Sequence, residues 1–340
     1  MNAVAQWFRD SIASWDRFWF TPRLPHTLAV IRIATGAMLL YTHLVLASDL
    51  LSFLGPEAWI DNATARSLHD GTFGPDDAGW SYLWSIDSAA GLWLHQLLAI
   101  LVSACLMLGL ATRLTAPLAW FIQLMIVHRL TGALFGLDQL TTMLAMYLML
   151  APCGAVYSLD AVIRRRMLKR RGTLSPRLGW WFPEPRPTVA VCVATRLGQL
   201  HLCVIYLFGG LWKARGEMWW DGTALWFSAA NYEYQSLDLT WVAHYPVLFA
   251  AATHLTIFWE TFYCALVWPR LTRPFVLATA VAIHGGIALF LGMITFGLIM
   301  IVANGMFLEP EWTRRLLRRR GGGSEEASPE ERRVAHSPRG

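Results

Sequence analysis

Thr195–Trp220 reads TRLGQLHLCVIYLFGGLWKARGEMWW, an apolar run long enough to cross a bilayer, with polar residues recurring along one side. At 100° per residue, Arg196, Gln199, Cys203, Tyr206, Gly210 and Lys213 fall within roughly 100° of arc. Leu197, Leu200, Val204, Leu207, Phe208 and Leu211 lie mostly elsewhere. Polar side chains are costly in a bilayer and usually face a bundle interior or a wet cavity. The stretch therefore predicts a bundle of membrane helices in which this helix walls a site.

The rest of the chain agrees. Of 340 residues, 55% are hydrophobic and only 15% charged, and apolar runs of span length recur, which marks an integral membrane protein. The positive charge sits in short clusters beside those runs, where it sets orientation, so nucleic acid is not an expected partner. Cys105, Cys153, Cys192, Cys203 and Cys264 lie in or beside apolar runs without a CxxC, which predicts free thiols and no metal site.

Residues 1–20 form an amphipathic helix rather than a signal peptide. Trp7, Phe8, Ile12, Trp15, Phe18 and Trp19 share one face, and Arg9, Asp10, Asp16 and Arg17 the other. A helix lying in the membrane interface fits this pattern, and one packed on protein is the alternative. After Pro22 and Pro25, spans are expected at Thr27–Ala47, Ala90–Leu110, Ala116–Phe135, Leu140–Ala151, Thr188–Lys213 and Trp241–Pro269. Pro274–Leu308 is too long for one span and splits near Gly292 into two short ones.

The reading is thus an all-α polytopic bundle of about eight spans with an interfacial amino-terminal helix. Residues 21–312 form the transmembrane domain, and 313–340 a basic and then disordered cytoplasmic tail. An even span count puts the amino terminus, the Arg113 turn, the Arg-rich 157–187 segment, the Arg270/Arg273 turn and the carboxyl terminus together on the cytoplasmic side. The loop 48–89 carries Asp49, Glu57, Asp61, Asp70, Asp76, Asp77 and Asp87 against the single Arg66, and falls outside.

Lys213 is the first candidate for chemistry. If its helix continues to Trp219, it lies roughly 9 Å below the aromatic belt, where desolvation would favour a neutral amine that can act as a base. A lysine snorkelling from a helix end is the alternative. Tyr206 and Gln199 share its face and are candidate ligand contacts or interhelical hydrogen bonds. Glu260, within Phe258-Trp259-Glu260-Thr261, must be neutral or paired, with Lys213, Arg32 or His284 as possible partners. His284 precedes Gly285-Gly286, where missing side chains permit close approach of a helix or ligand. Arg32 either snorkels or faces the bundle and binds an anionic group.

Four segments carry a family resemblance. They are FTPRLPHTLAVIRIATGAMLL (Phe20–Leu40), LMLAPCGAVYSLD (Leu148–Asp160), IYLFGGLWKARGEMWWDGTALW (Ile205–Trp226) and HGGIALFLGMITFGLIMIVANGMFLEPEW (His284–Trp312). Together they resemble the horizontally transferred transmembrane domain family, the bacterial group similar to the membrane part of vitamin K-dependent γ-glutamyl carboxylase. In that carboxylase a lysine deprotonates reduced vitamin K. Oxygen then adds, giving an epoxide and a strong base that removes a glutamate γ-proton, so that CO2 can add. The resemblance places the lysine on Lys213 and a second functional histidine on His284. It implies a reduced quinone (menaquinone or vitamin K-like) as cofactor and a bacterial inner membrane as location.

Two departures follow. At Leu130–Gly136, where the carboxylase has an Asn-His-Ser segment before Tyr-Leu-Tyr-Gly, Thr131 stands in place of a catalytic histidine. The chain also ends soon after Trp312, without the carboxylase's protein-substrate domain, so a lipid or quinone pocket is expected rather than peptide carboxylation. The expected function is an enzyme with Lys213 as base, His284 and Glu260 as acid or orienting groups, and Gln199, Tyr206 and Arg32 at the cofactor. A non-catalytic membrane module that binds a lipid or a protein partner is the alternative. A transporter is disfavoured because the chain shows no internal repeat.

Overall fold

Each apolar run becomes a helix whose start or stop is legible in a few residues. The computed structural model describes residues 3–69, 79–234 and 236–320. Among these residues it is all-helical. Helix α1 (Ala3–Phe20) is followed, after the Pro22/Pro25 break, by α2 (His26–Ser48). Ser88 then accepts a bond from the Gly91 amide and starts α3 (Ala89–Leu108), which Gly109 ends at φ +70°. Next come α4 (Thr112–Arg129), α5 (Gly136–Met149) and the basic α6 (Leu159–Arg171), capped by Ser158. Thr188 caps α7 (Val189–Lys213). The chain closes with α8 (Pro246–Leu266), α9 (Arg273–Phe290), α10 (Ile294–Asn304) and α11 (Pro310–Arg320).

Helices pack most extensively in sequential pairs, α2 with α3, α4 with α5, α7 with α8 and α9 with α10. One core runs through them, from Leu28 and Leu106 through Leu144 and Leu202 to Tyr263 and Met306. Many apolar side chains of these helices face outward, including Leu94, Leu101, Phe208, Phe258 and Leu289, as a lipid-facing surface requires. The chain is a multi-pass membrane protein.

The bundle has two distinct ends. At one, Arg23 pairs with Thr188 through reciprocal backbone bonds, and the Arg196 guanidinium donates to the Phe18 carbonyl. At this end too, Thr27 bonds Thr313, and Asp160 caps α4 by accepting from the Ala111 and Thr112 amides and the Thr112 hydroxyl. The basic clusters gather there. At the other end, Arg129 donates to the Ile60 carbonyl, Ser81 to that of Met125, and the Ser236 amide to that of Phe290. The described acidic residues of 48–89 lie here; Asp70, Asp76 and Asp77 fall outside the described residues, as does the tail 321–340.

The span count differs from expectation. Five helices (α2, α3, α7, α8 and α9) are long and apolar enough to cross a membrane. A sixth is reached if Ile294–Phe307 and Pro310–Leu317, bent by 114°, form one span. Eight were expected because the apolar runs at 116–135, 140–151 and the second part of 274–308 were counted as spans too, and these correspond to α4, α5 and α10. Length is the obstacle: fourteen residues of α5 rise about 21 Å and eleven of α10 about 17 Å, against a hydrocarbon core of about 30 Å. Helix α4 has the length but carries Arg113, Gln123, His128 and Arg129. The split near Gly292 is present: α9 ends at Phe290, Gly292 takes φ +67°, and α10 folds back along α9.

Candidate functional site

The site begins with two missing side chains. A Cβ on Gly210 would lie 2.7 Å from the Thr261 backbone nitrogen, so bare backbone there lets α7 and α8 meet closely. That approach carries Glu260 to Lys213, whose Nζ donates to Oε2 at 2.6 Å. A Cβ on the neighbouring Gly209 would stand 3.3 Å from the same carboxylate oxygen. Of the three partners considered for Glu260, the structure selects Lys213. The Glu260 side chain is 10% exposed and that of Lys213 29%, so the pair is sunk in the wall yet open at its cationic end.

Helix α7 does not continue to Trp219, contrary to the geometry assumed in placing Lys213. It stops at Lys213, and the chain turns through Ala214–Gly216. Trp220 Nε1 donates to the Ala214 carbonyl, which folds the segment back and sets the Trp219 ring 5.5 Å from Nζ. The tryptophan thus roofs the lysine by a cation–π contact rather than lying a full turn and a half above it. Past Trp220, the side chain and amide of Thr223 hold the exposed Asp221 below the usual carboxylate range.

A second layer lies deeper. The Tyr206 hydroxyl is 2.7 Å from His284 Nε2 and accepts a bond from Asn304 Nδ2, also at 2.7 Å. Tyr263 donates to Asn304 Oδ1 at 2.8 Å, and the remaining Asn304 proton goes to the Met300 carbonyl. With Asn304 donating to its oxygen, Tyr206 can give its own proton to Nε2, which places the His284 proton on Nδ1. That Nδ1 is buried and without a hydrogen-bond partner among the described residues. The rings of Tyr206, Trp259 and Phe296 surround the imidazole. The Trp259 ring, on the residue before Glu260, lies 4.8 Å from that of Tyr206 and 6.4 Å from the His284 imidazole, so the two layers adjoin.

Lys213, Glu260, His284 and Tyr206 are therefore brought together. Arg32 and Gln199 are not. Arg32 is fully buried, and its guanidinium donates to the carbonyls of Leu106 (2.5 Å), Met107 (2.8 Å), Tyr157 (2.7 Å) and Cys153 (3.2 Å). It neither snorkels nor reaches the lysine; it closes the carboxyl end of α3. Gln199 donates to the Met306 carbonyl and accepts from Arg196, tying α7 to the segment after α10. Thr131 bonds His69 Nε2 at 2.7 Å and the His128 carbonyl at 3.2 Å, outside the Lys213 group.

Three contributors escaped the sequence reading. Asn304 is the one amide in the apolar Ile294–Phe307, and that isolation was a usable signal. Tyr263 follows Glu260 by three residues on the same helical face, and Trp259 precedes it. All five cysteines are free thiols. Among the described residues no group of three His, Cys, Asp or Glu is arranged to hold a metal. Two cavities, of about 380 and 290 Å3, lie at the opposite, basic end of the bundle.

No family model, no curated protein and no solved structure matches this chain.

Proposed function

We propose that the chain belongs to the horizontally transferred transmembrane domain family and acts as a quinol-dependent, oxygenase- or carboxylase-like enzyme of the bacterial inner membrane. The observation that carries this reading is the Lys213–Glu260 contact at 2.6 Å, part-buried and one layer from an unpartnered histidine nitrogen. An ammonium is not a base, so Lys213 gains that role only when Glu260 takes its proton. In a desolvated site the neutral acid–amine pair approaches the ion pair in energy, because both separated charges have lost hydration. Moving one proton from Nζ to Oε2 leaves a lone pair on Nζ and a carboxylic acid able to return the proton.

The remaining residues fit a quinol. His284 Nδ1–H offers a donor to a developing oxyanion, while Tyr206 and Asn304 fix the imidazole tautomer. Trp259 and Tyr263 supply flat apolar walls. A bound reduced quinone would supply the acidic hydroxyl and the electrons for oxygen chemistry. In this reading the basic end of the bundle, which holds the described beginning and end of the chain, is cytoplasmic, and Lys213 lies toward the outer face.

A second reading has its own support. Arg32 and Gln199 are engaged by carbonyls, so part of the polar pattern is interhelical glue, as a non-catalytic module binding a lipid or a protein would also show. One experiment separates them. Purified protein in lipid receives reduced menaquinone or vitamin K, oxygen and bicarbonate, and quinone epoxide is followed by chromatography, beside Lys213→Ala and Glu260→Gln. Epoxide from the native protein alone, with the variants folded, is the expected result. A folded, quinone-loaded native protein that makes none would sink the lysine-base mechanism for these quinones and leave the binding module.

A further inference from the structure

The cavity of about 290 Å3 at the basic end has an unusual charge balance. Arg17, Arg23, Arg196, Arg270 and Arg273 line it, with Glu309 as the one carboxylate. Five cations against one anion leave it strongly positive. These arginines come from four separate segments and converge. Arg17 lies in the last turn of α1, and Arg23 lies within the proline break. Arg196 lies in the second turn of α7, and Arg270 and Arg273 flank the turn between α8 and α9.

Convergence of like charges is unfavourable, and here it is incompletely relieved. Arg23 and Arg273 both act repulsively on Arg196. Arg273 donates to the Val267 and Trp268 carbonyls and reaches Glu309 only at 3.8 Å. Arg196 donates to the Phe18 carbonyl and to Gln199, and lies 4.2 Å from the Phe18 ring. Arg23 is less well served: its Nη1 is buried and has no hydrogen-bond partner among the described residues. A buried guanidinium N–H without an acceptor costs free energy that an arriving anion would recover.

We propose that this cavity binds the phosphate of an anionic phospholipid headgroup. Forked guanidinium donors suit phosphate oxygens, which answers the charge and the orphaned Nη1 together. The lipid source follows from where the cavity lies. Its rim includes the end of α1, whose Trp7, Phe8, Ile12 and Trp15 are exposed on one face and need an apolar surrounding. With that face in the bilayer, Arg17 and Arg23 stand at headgroup depth. Trp268 and Phe307 give the cavity an aromatic side against which a glycerol and the first acyl carbons can rest. The site is separate from the Lys213 group and does not depend on the quinol reading.

The test is native mass spectrometry of the full chain released from vesicles of phosphatidylcholine alone, of phosphatidylcholine with phosphatidylglycerol, and of the latter mixture with added inorganic phosphate. The native protein should retain phosphatidylglycerol and not phosphatidylcholine. Arg23→Gln and Arg270→Gln should each weaken retention about fivefold. Arg23→Gln keeps the backbone pairing with Thr188, and Arg270 is exposed, so both variants test binding rather than folding. Arg164→Gln, in the other cavity, should change nothing. Equal retention of both lipids, or phosphatidylglycerol held undiminished by both cavity variants, overturns the proposal. Displacement of the lipid by inorganic phosphate alone overturns the lipid assignment in favour of a soluble anion.

Discussion

Arg32 and Lys213 are both cations carried on membrane helices, and their surroundings share almost nothing. Arg32 is surrounded by four carbonyl oxygens at the carboxyl end of α3 and in the 153–157 turn. Gly109, at φ +70°, leaves room for it: a Cβ there would stand 2.7 Å from Nη1. Each of the three guanidinium nitrogens has a carbonyl partner. Lys213 has one short partner and an aromatic roof, and remains partly exposed, with an unpartnered imidazole nitrogen in the next layer. A fully satisfied buried cation holds a fold together, whereas one with a single titratable partner and unused polar neighbours can exchange protons.

The largest expected effect tests the first half of that contrast. Arg32→Met should cost about 3–5 kcal/mol, because four carbonyls lose their donors at once, and should show as a lowered unfolding midpoint in detergent. Lys213→Met should cost less, about 1–2 kcal/mol, because Glu260, left without its partner, can take up a proton through the partly exposed end of the pair. Equal losses for the two would erase the distinction. Gly210→Ala comes next: with its Cβ 2.7 Å from the Thr261 nitrogen, α7 and α8 must part, at about 1–3 kcal/mol. Cysteine crosslinking between the two helices should report that widening; an unchanged yield would mean that the close crossing does not set the Lys213–Glu260 contact.

Much of this was readable in the residues, and the limits have physical causes. Run length and charge clusters give the long helices and the two ends, because each is a property of one segment. The Lys213 stripe is likewise local to α7. Which carboxylate meets Lys213 depends on how α7 crosses α8, a tertiary fact that Gly209-Gly210 hints at without naming a partner. Arg32 looked like a ligand group because its acceptors are backbone carbonyls, which no side-chain pattern announces. The roof of Trp219 depends on the helix stopping at Lys213, and Ala214-Arg215, which follow it, carry no breaker.

Smaller effects sharpen the comparison. Tyr206→Phe removes one hydroxyl shared by His284 and Asn304 and should cost about 1 kcal/mol, while freeing the imidazole to exchange tautomers, visible by nitrogen-15 NMR of labelled histidine. A single fixed tautomer in the variant would show that Tyr206 does not set it. The smallest effect lies at the surface. Asp61 accepts from the Thr64 amide at the start of Asn62–Ser67, a bond that holds its carboxyl below the usual range. Its capping is present above the unfolded carboxylate pKa of about 4 and is lost as pH falls through the lower folded value. Hydrogen exchange in Asn62–Ser67 should quicken in that acidic window, and Asp61→Asn should flatten the dependence.

The two-residue pairing of Arg23 with Thr188, together with the Thr27–Thr313 bond, has a consequence for synthesis. Residues made first are fastened by residues made much later. At ordinary translation speeds, α1 leaves the ribosome on the order of ten seconds before Thr188 does. During that interval its aromatic face has only the membrane surface to rest on. The helix that later borders the arginine cavity therefore waits as a peripheral raft, and docks when the second half of the bundle arrives.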